Sequence, residues 1–249
     1  TFGNVPPRGV SLEGYAEHLA AKRGLYVEVG MGIGFCFLIR REVIERIGFL
    51  TEEVERIFFE DEDYSMRAQE AGFRCAVVSS AYVHHAEHRT VKRMGERERI
   101  FQRNQQWCEA KWGRWLRLAC PRFLPLEPGS HELRTWLEQL LTWARRRTHV
   151  YAYGPAADGV TAEELFRSVG LVPHVDVLWH PLPRRGMRLA AGLAILKRRK
   201  KRFDAILAPD ERWAAVMRRL AWAHRSRVIP LADTEALEQL WQRPSRSPS

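Results

Sequence analysis

The chain changes its hydrophobic rhythm near residue 148. After it, four apolar runs follow at 148–153 (THVYAY), 175–179 (VDVLW), 203–208 (FDAILA) and 227–231 (RVIPL). Helical segments at 161–168, about 187–200, 210–224 and 233–241 separate them. Short apolar runs alternating with helix-length segments predict a small parallel-sheet α/β domain over residues 148–243. Just upstream, Leu133, Trp136, Leu137, Leu140 and Leu141 recur at helical spacing, which predicts an amphipathic helix over 131–147. Residues 121–130 hold three prolines and a Gly-Ser pair, so 121–147 reads as linker plus helix. The polar end, 244–249, predicts a disordered tail.

The first 120 residues have a different pattern. Leu12, Tyr15, Ala16 and Leu19 share one face of a predicted helix over 11–23, closed by Gly24. Residues 25–29 alternate as a short strand, and 33–39 (IGFCFLI) read as a buried strand. A helix from Arg41 to Ile47 stops at Gly48, and Thr51 can cap a turn over Glu52 and Glu53. A helix over Tyr64–Glu70, with Asp61 or Asp63 as its N-cap and Ala71-Gly72 as its stop, precedes a strand at 73–78. Residues 95–117 form a long helical segment carrying Asn104, Trp107, Lys111, Trp112 and Trp115.

The 249 residues are 45% hydrophobic, enough for a core and unlike a disordered chain. The net charge of +10 is uneven. Residues 1–128 hold 19 Lys and Arg against 18 Asp and Glu; residues 129–249 hold 21 against 12. The basic second half points to two functional units and an anionic partner for the second. Four well-separated cysteines without a CxxC pair predict reduced, mostly buried thiols and a cytoplasmic protein. No run of about 18 apolar residues occurs that would span a bilayer. The start at Thr1, in what reads as mid-domain sequence, suggests a fragment or processed piece.

The chemistry concentrates in Phe58-Phe59-Glu60-Asp61-Glu62-Asp63. Four consecutive carboxylates repel one another, which raises their proton affinity and suits general-base work. A helix N-terminus partly offsets the repulsion. A solvated acidic turn capping a helix is the plain alternative. Arg67, about one turn after Asp63, suits an intrahelical salt bridge. The His84-His85 pair lies downstream, and two neighbouring residues on a strand face opposite sides.

Gly34-Phe35-Cys36-Phe37-Leu38-Ile39-Arg40-Arg41-Glu42-Val43, Ile47-Gly48-Phe49-Leu50, the acidic motif, Ala71-Gly72-Phe73-Arg74 and the His pair together resemble the acceptor-side half of family 2 glycosyltransferases. These are inverting nucleotide-sugar enzymes of GT-A fold. The resemblance covers about residues 1–113, from Asn4 near its start to Asn104 and Lys111-Trp112 near its end. It implies a partial GT-A, Rossmann-like α/β domain over residues 1–120. It implies Asp61 as the base that takes the acceptor hydroxyl's proton, with Glu60 beside it and Asp63 capping the helix or touching the acceptor. It implies substrate contacts at Gly34, Arg67 and His84, and a divalent metal, Mn²⁺ or Mg²⁺, at His85. Asp61-Glu62-Asp63 also has the D-x-D form of the family's donor site. It opens a helix downstream of the Gly34 segment, however, and no other D-x-D occurs. The donor-binding half is thus expected to be missing and the isolated chain inactive. His88 and Glu87 depart from the family's small residue and glycine, and Thr51 stands at its Asp.

The implied partners are a nucleotide-sugar donor and a glycan or other hydroxyl acceptor. The implied setting is bacterial surface polysaccharide or glycoconjugate synthesis, in the cytoplasm or peripherally at the inner membrane face. In the second half, Tyr153 to Gly159 sits where a nucleotide loop would. Its glycine spacing is not G-x-G-x-x-G, and Pro155 lacks an N–H. Lys197 to Arg202 suits a solvated helix end or, with Arg145 to Arg147, anionic lipid headgroups. No interleaved aromatics accompany it as nucleic-acid binding would require. The competing function is a non-catalytic binding module, with a degenerate transferase half and a basic domain docking on membrane or a protein partner.

Overall fold

The computed structural model describes residues 6, 8–55, 57–83, 96–124, 127–155, 160–197 and 202–241. Asn4, His84, His85, most of the loop after Tyr153, the middle of the basic run and the tail lie outside the described residues. The chain divides into two compact units between Gln105 and Gln106.

The first unit holds α1 (Leu12–Ala20), β1 (Tyr26–Glu28), α2 (Arg41–Ile47), α3 (Glu60–Glu70), β2 (Ala76–Val78) and the start of α4 (Arg97–Trp112). Ser11 caps α1 by accepting from the Gly14 N–H at 3.0 Å. β1 and β2 pair antiparallel, Tyr26 opposite Val78 and Glu28 opposite Ala76. Val43, Tyr64 and Ala68 form a small core between α2 and α3, joined by Ile39, Ile47 and Phe73.

Residues 33–39 do not form the buried strand their composition predicts. Among the described residues β1 and β2 are the only strands of this unit, so the run has no ladder to join. Ile33, Phe35 and Cys36 are exposed, and Leu38 is 98% exposed. The expectation of mostly buried thiols holds for Cys108 and Cys120, while Cys75 is half-buried and Cys36 is open.

The second unit is a five-stranded, wholly parallel sheet in the order β5-β4-β3-β6-β7. Its strands are β3 (Leu116–Pro121), β4 (Thr148–Pro155), β5 (Val177–Leu182), β6 (Ala205–Ala208) and β7 (Arg227–Pro230). The helices are α5 (His131–Ala144), α6 (Ala162–Ser168), α7 (Met187–Leu196), α8 (Glu211–Arg219), α9 (Ala221–His224) and α10 (Thr234–Glu238). The alternating strand side chains feed two cores. Leu118, Val150, Ala152, Ala205, Leu207 and Ile229 pack under α5, α6 and α10. Ala119, Tyr151, Tyr153, Ile206 and Ala208 pack under α7 and α8 on the other face. A parallel sheet covered on both faces explains why its strands read as nearly continuous apolar runs. Ser130 caps α5, Thr161 and Glu164 close a capping box on α6, and Asp210 caps α8.

The seam expected after residue 120 therefore lies earlier. Leu116–Pro121, placed by its sequence in the first part and partly in a helix reaching residue 117, is the middle strand of the second sheet. Gly113, at φ +78°, takes up the left-handed turn that ends α4 at Trp112.

Candidate active site

The acidic motif is the first turn of α3, not a cap before it. The helix starts at Glu60, and the N-cap position is Phe59, which makes no side-chain capping bond. Asp61 and Asp63 are thus helical residues near the positive end of the dipole, which favours carboxylates there. Phe58 and Phe59 both adopt left-handed backbone, at φ +72° and +75°. For residues other than glycine each such conformation costs about 1–3 kcal/mol.

Asn104 of α4 holds this strained entry. Its side chain is buried, with Oδ1 accepting from the Glu55 N–H at 3.1 Å. Its Nδ2 donates to the carbonyls of Glu55, Ile57 and Phe58 at 3.1, 2.7 and 3.3 Å. Arg99 and Arg103 clamp the Glu55 carboxylate at 2.8 and 2.6 Å. Those guanidinium hydrogen bonds lower its pKa from 4.5 to about 2. Phe101 meets both left-handed phenylalanines, ring centres 5.4 and 5.2 Å away.

Three residues spaced four apart on α3 bind the run Gly30 to Gly34. Gln69 donates to the Gly30 carbonyl at 2.7 Å. Ser65 accepts from the Gly32 N–H at 3.0 Å and donates to the Asp61 carbonyl at 2.7 Å. Asp61 Oδ2 accepts from the Gly34 N–H at 2.9 Å, and Oδ1 from the Glu62 N–H at 2.8 Å. A Cβ on Gly32 would lie 2.0 Å from the Phe37 ring, so the close approach requires glycine there. The four-residue spacing of Asp61, Ser65 and Gln69 is the sequence signal for this seat.

The remaining site candidates separate by surroundings. Glu60 stands beside Asp61, with Oε2 buried and no hydrogen-bond partner among the described residues. Burial, then the Asp61 charge, raises its pKa. Asp63 is fully buried and pairs with Arg67 at 2.8 Å. Arg67 also donates to the carbonyls of Ile47 and Phe49 at 2.7 and 2.8 Å, tying α3 to the end of α2. Glu60, Asp61 and Gly34 therefore come together, while Asp63 and Arg67 form a structural tie.

Among the described residues no three His, Cys, Asp or Glu side chains gather as a metal-ligand set. Asp61 takes one N–H bond on each oxygen, which leaves each a further lone pair, while Asp63 is engaged by the Arg67 guanidinium. Also among them, no helix is long and apolar enough to cross a membrane.

Compared with known proteins, the chain matches no family model, no curated protein and no solved structure.

Proposed function

We propose that the first unit is the acceptor-side half of an inverting, nucleotide-sugar-dependent glycosyltransferase of the family 2 kind. The observation that carries it is the seat of Asp61. A carboxylate at a helix N-terminus is fixed by the Gly34 N–H, against a glycine-rich backbone that offers no side-chain bulk. As an acceptor hydroxyl attacks C1 of the donor sugar, its proton passes to this carboxylate and the nucleoside diphosphate leaves from the opposite face. Asp63 and Arg67 would hold the helix in place rather than touch sugar. Glu60 is the rival proton acceptor, since its buried oxygen already favours the proton. His85 would hold a divalent metal, which would offset the charge of the leaving diphosphate. The setting would be surface polysaccharide or glycoconjugate synthesis at the cytoplasmic face of a membrane.

The test is donor turnover by the complete gene product with Mn²⁺, across a panel of nucleotide sugars, beside Asp61→Asn and Glu60→Gln. Loss of a positioned base is expected to lower turnover by about 10²–10⁴-fold in Asp61→Asn, with the fold kept. A comparable loss in Glu60→Gln alone would move the base by one residue. Turnover indifferent to both, or none with any donor, would sink the transferase and favour the binding module.

A further inference from the structure

In a doubly wound sheet, the helices after two neighbouring strands leave to opposite faces at one place, and a crevice opens there at the strands' carboxyl ends. In the second unit that place is between β3 and β6. After β3 the chain enters α5 on one face; after β6 it enters α8 on the other. A cavity of about 530 Å³ lies there, lined by residues following β3, β5, β6 and β7.

Its lining carries Arg122, Arg184 and Arg188 against a single carboxylate, Asp210. Asp210 caps α8 and holds Arg188 at 2.7 Å, placing that guanidinium 4.8 Å above the Phe123 ring. Arg122 has no such anchor. Its guanidinium lies 5.6 Å over the Trp136 ring, and its Nε is buried without a hydrogen-bond partner. Among the described residues it makes no ion pair, and Glu132 acts on it only through space. Arg122 is half-exposed and only its Nε is withdrawn from water, so part of an unpaired guanidinium is desolvated, which favours an external anionic partner. The guanidinium fork suits phosphate oxygens, and the Phe123 and Trp136 rings suit the flat or apolar body of such a ligand.

We propose that this crevice binds a small phosphate-bearing molecule, with Arg122 and Arg184 contacting the phosphate and Arg188, aligned by Asp210, completing the seat. The proposal does not depend on the transferase reading, because every residue in it belongs to the second unit. Nucleotides and sugar phosphates share the required chemistry.

Isothermal titration of the whole chain with inorganic pyrophosphate, UDP and glucose 1-phosphate tests it, beside Arg122→Met, Arg184→Ala and, as control, Arg167→Ala on α6. At least one probe is expected to bind with an affinity that falls as salt rises. Arg122→Met and Arg184→Ala are each expected to weaken it about tenfold or more, and Arg167→Ala to leave it unchanged. Pyrophosphate alone would point to phosphate recognition, UDP to a nucleotide and glucose 1-phosphate to a phosphorylated sugar. Binding of no probe at millimolar concentration, or binding indifferent to the crevice arginines, overturns the proposal. If Arg122→Met fails to fold, the exposed Arg184 decides, since its removal opens no core.

Discussion

Replacing Asn104 with alanine removes the clamp on the entry to α3. Three backbone groups lose partners at once, the Glu55 N–H and the carbonyls of Ile57 and Phe58, while the Glu55 carbonyl loses one of its bonds and keeps the Ile57 N–H at 2.7 Å. Each such bond contributes a net ~0.5–1.5 kcal/mol. The loop is half-buried, so water recovers part of the loss, and relaxing Phe58 and Phe59 returns some strain. The balance is a loss of roughly 2–4 kcal/mol from the first unit. All nine tryptophans follow residue 105, so tryptophan fluorescence reports the second unit and serves as the control. Hydrogen exchange of α3 amides, read by mass spectrometry, reports the first. A loss of that size should speed α3 exchange by about 30- to 700-fold with the fluorescence transition unmoved. Acceleration below about threefold would show that Asn104 does not hold the loop and that the left-handed pair is stable without it.

Glu60→Gln is expected to stabilise the first unit at neutral pH. A carboxyl with raised pKa binds its proton more tightly folded than unfolded, so the wild type loses stability as pH climbs above 4.5. The difference between wild type and variant in thermal midpoint should widen across that rise, and a flat difference would refute burial as the cause. Glu55 runs the other way, its contribution being complete above pH 4.5 and lost as pH falls towards 2. Acid titration of Glu55→Gln should therefore show less loss than wild type within that window; parallel curves would contradict the arginine clamp. Gly32→Ala forces the Phe37 ring aside and should cost about 1–3 kcal/mol in urea unfolding of the first unit. A neutral result would mean the ring moves freely.

Much of the second unit was legible from its residues. Each of the four apolar runs overlaps a strand, with β5 reaching Leu182, three residues past its run, and the segments between them hold helices, 210–224 dividing into α8 and α9, because a sheet covered on both sides writes itself as apolar runs. β3 was not legible. Arg117 interrupts Leu116 and Leu118, and Trp112 and Trp115 just upstream extend the helical pattern past Gly113. The run at 33–39 failed for the opposite reason. Its apolar residues carry strand propensity, but a strand needs a neighbour, and propensity does not show whether one exists. In the candidate site the carboxylates and Gly34 stood out by type. Their roles did not, because whether an acidic side chain meets an N–H, a guanidinium or nothing is decided by packing at long sequence range. Asn104 shows this, since its partners lie 46 to 49 residues away.

The placement of β3 also bears on how the second unit comes to exist as the chain is made. Its first strand to emerge is its innermost. One flank is closed by β4, the next strand in line, through a ladder from Leu116–Thr148 to Pro121–Tyr153. The other must wait for β6, whose approach is marked by Asp204 accepting from the Arg117 N–H across 87 residues. A sheet of β3, β4 and β5 without β6 would have an open apolar edge at Leu118 and Ala119, the geometry that invites pairing with a second chain. A chain that stopped before residue 205 would leave that edge bare, so the exposure this fold has to avoid lies at its central strand.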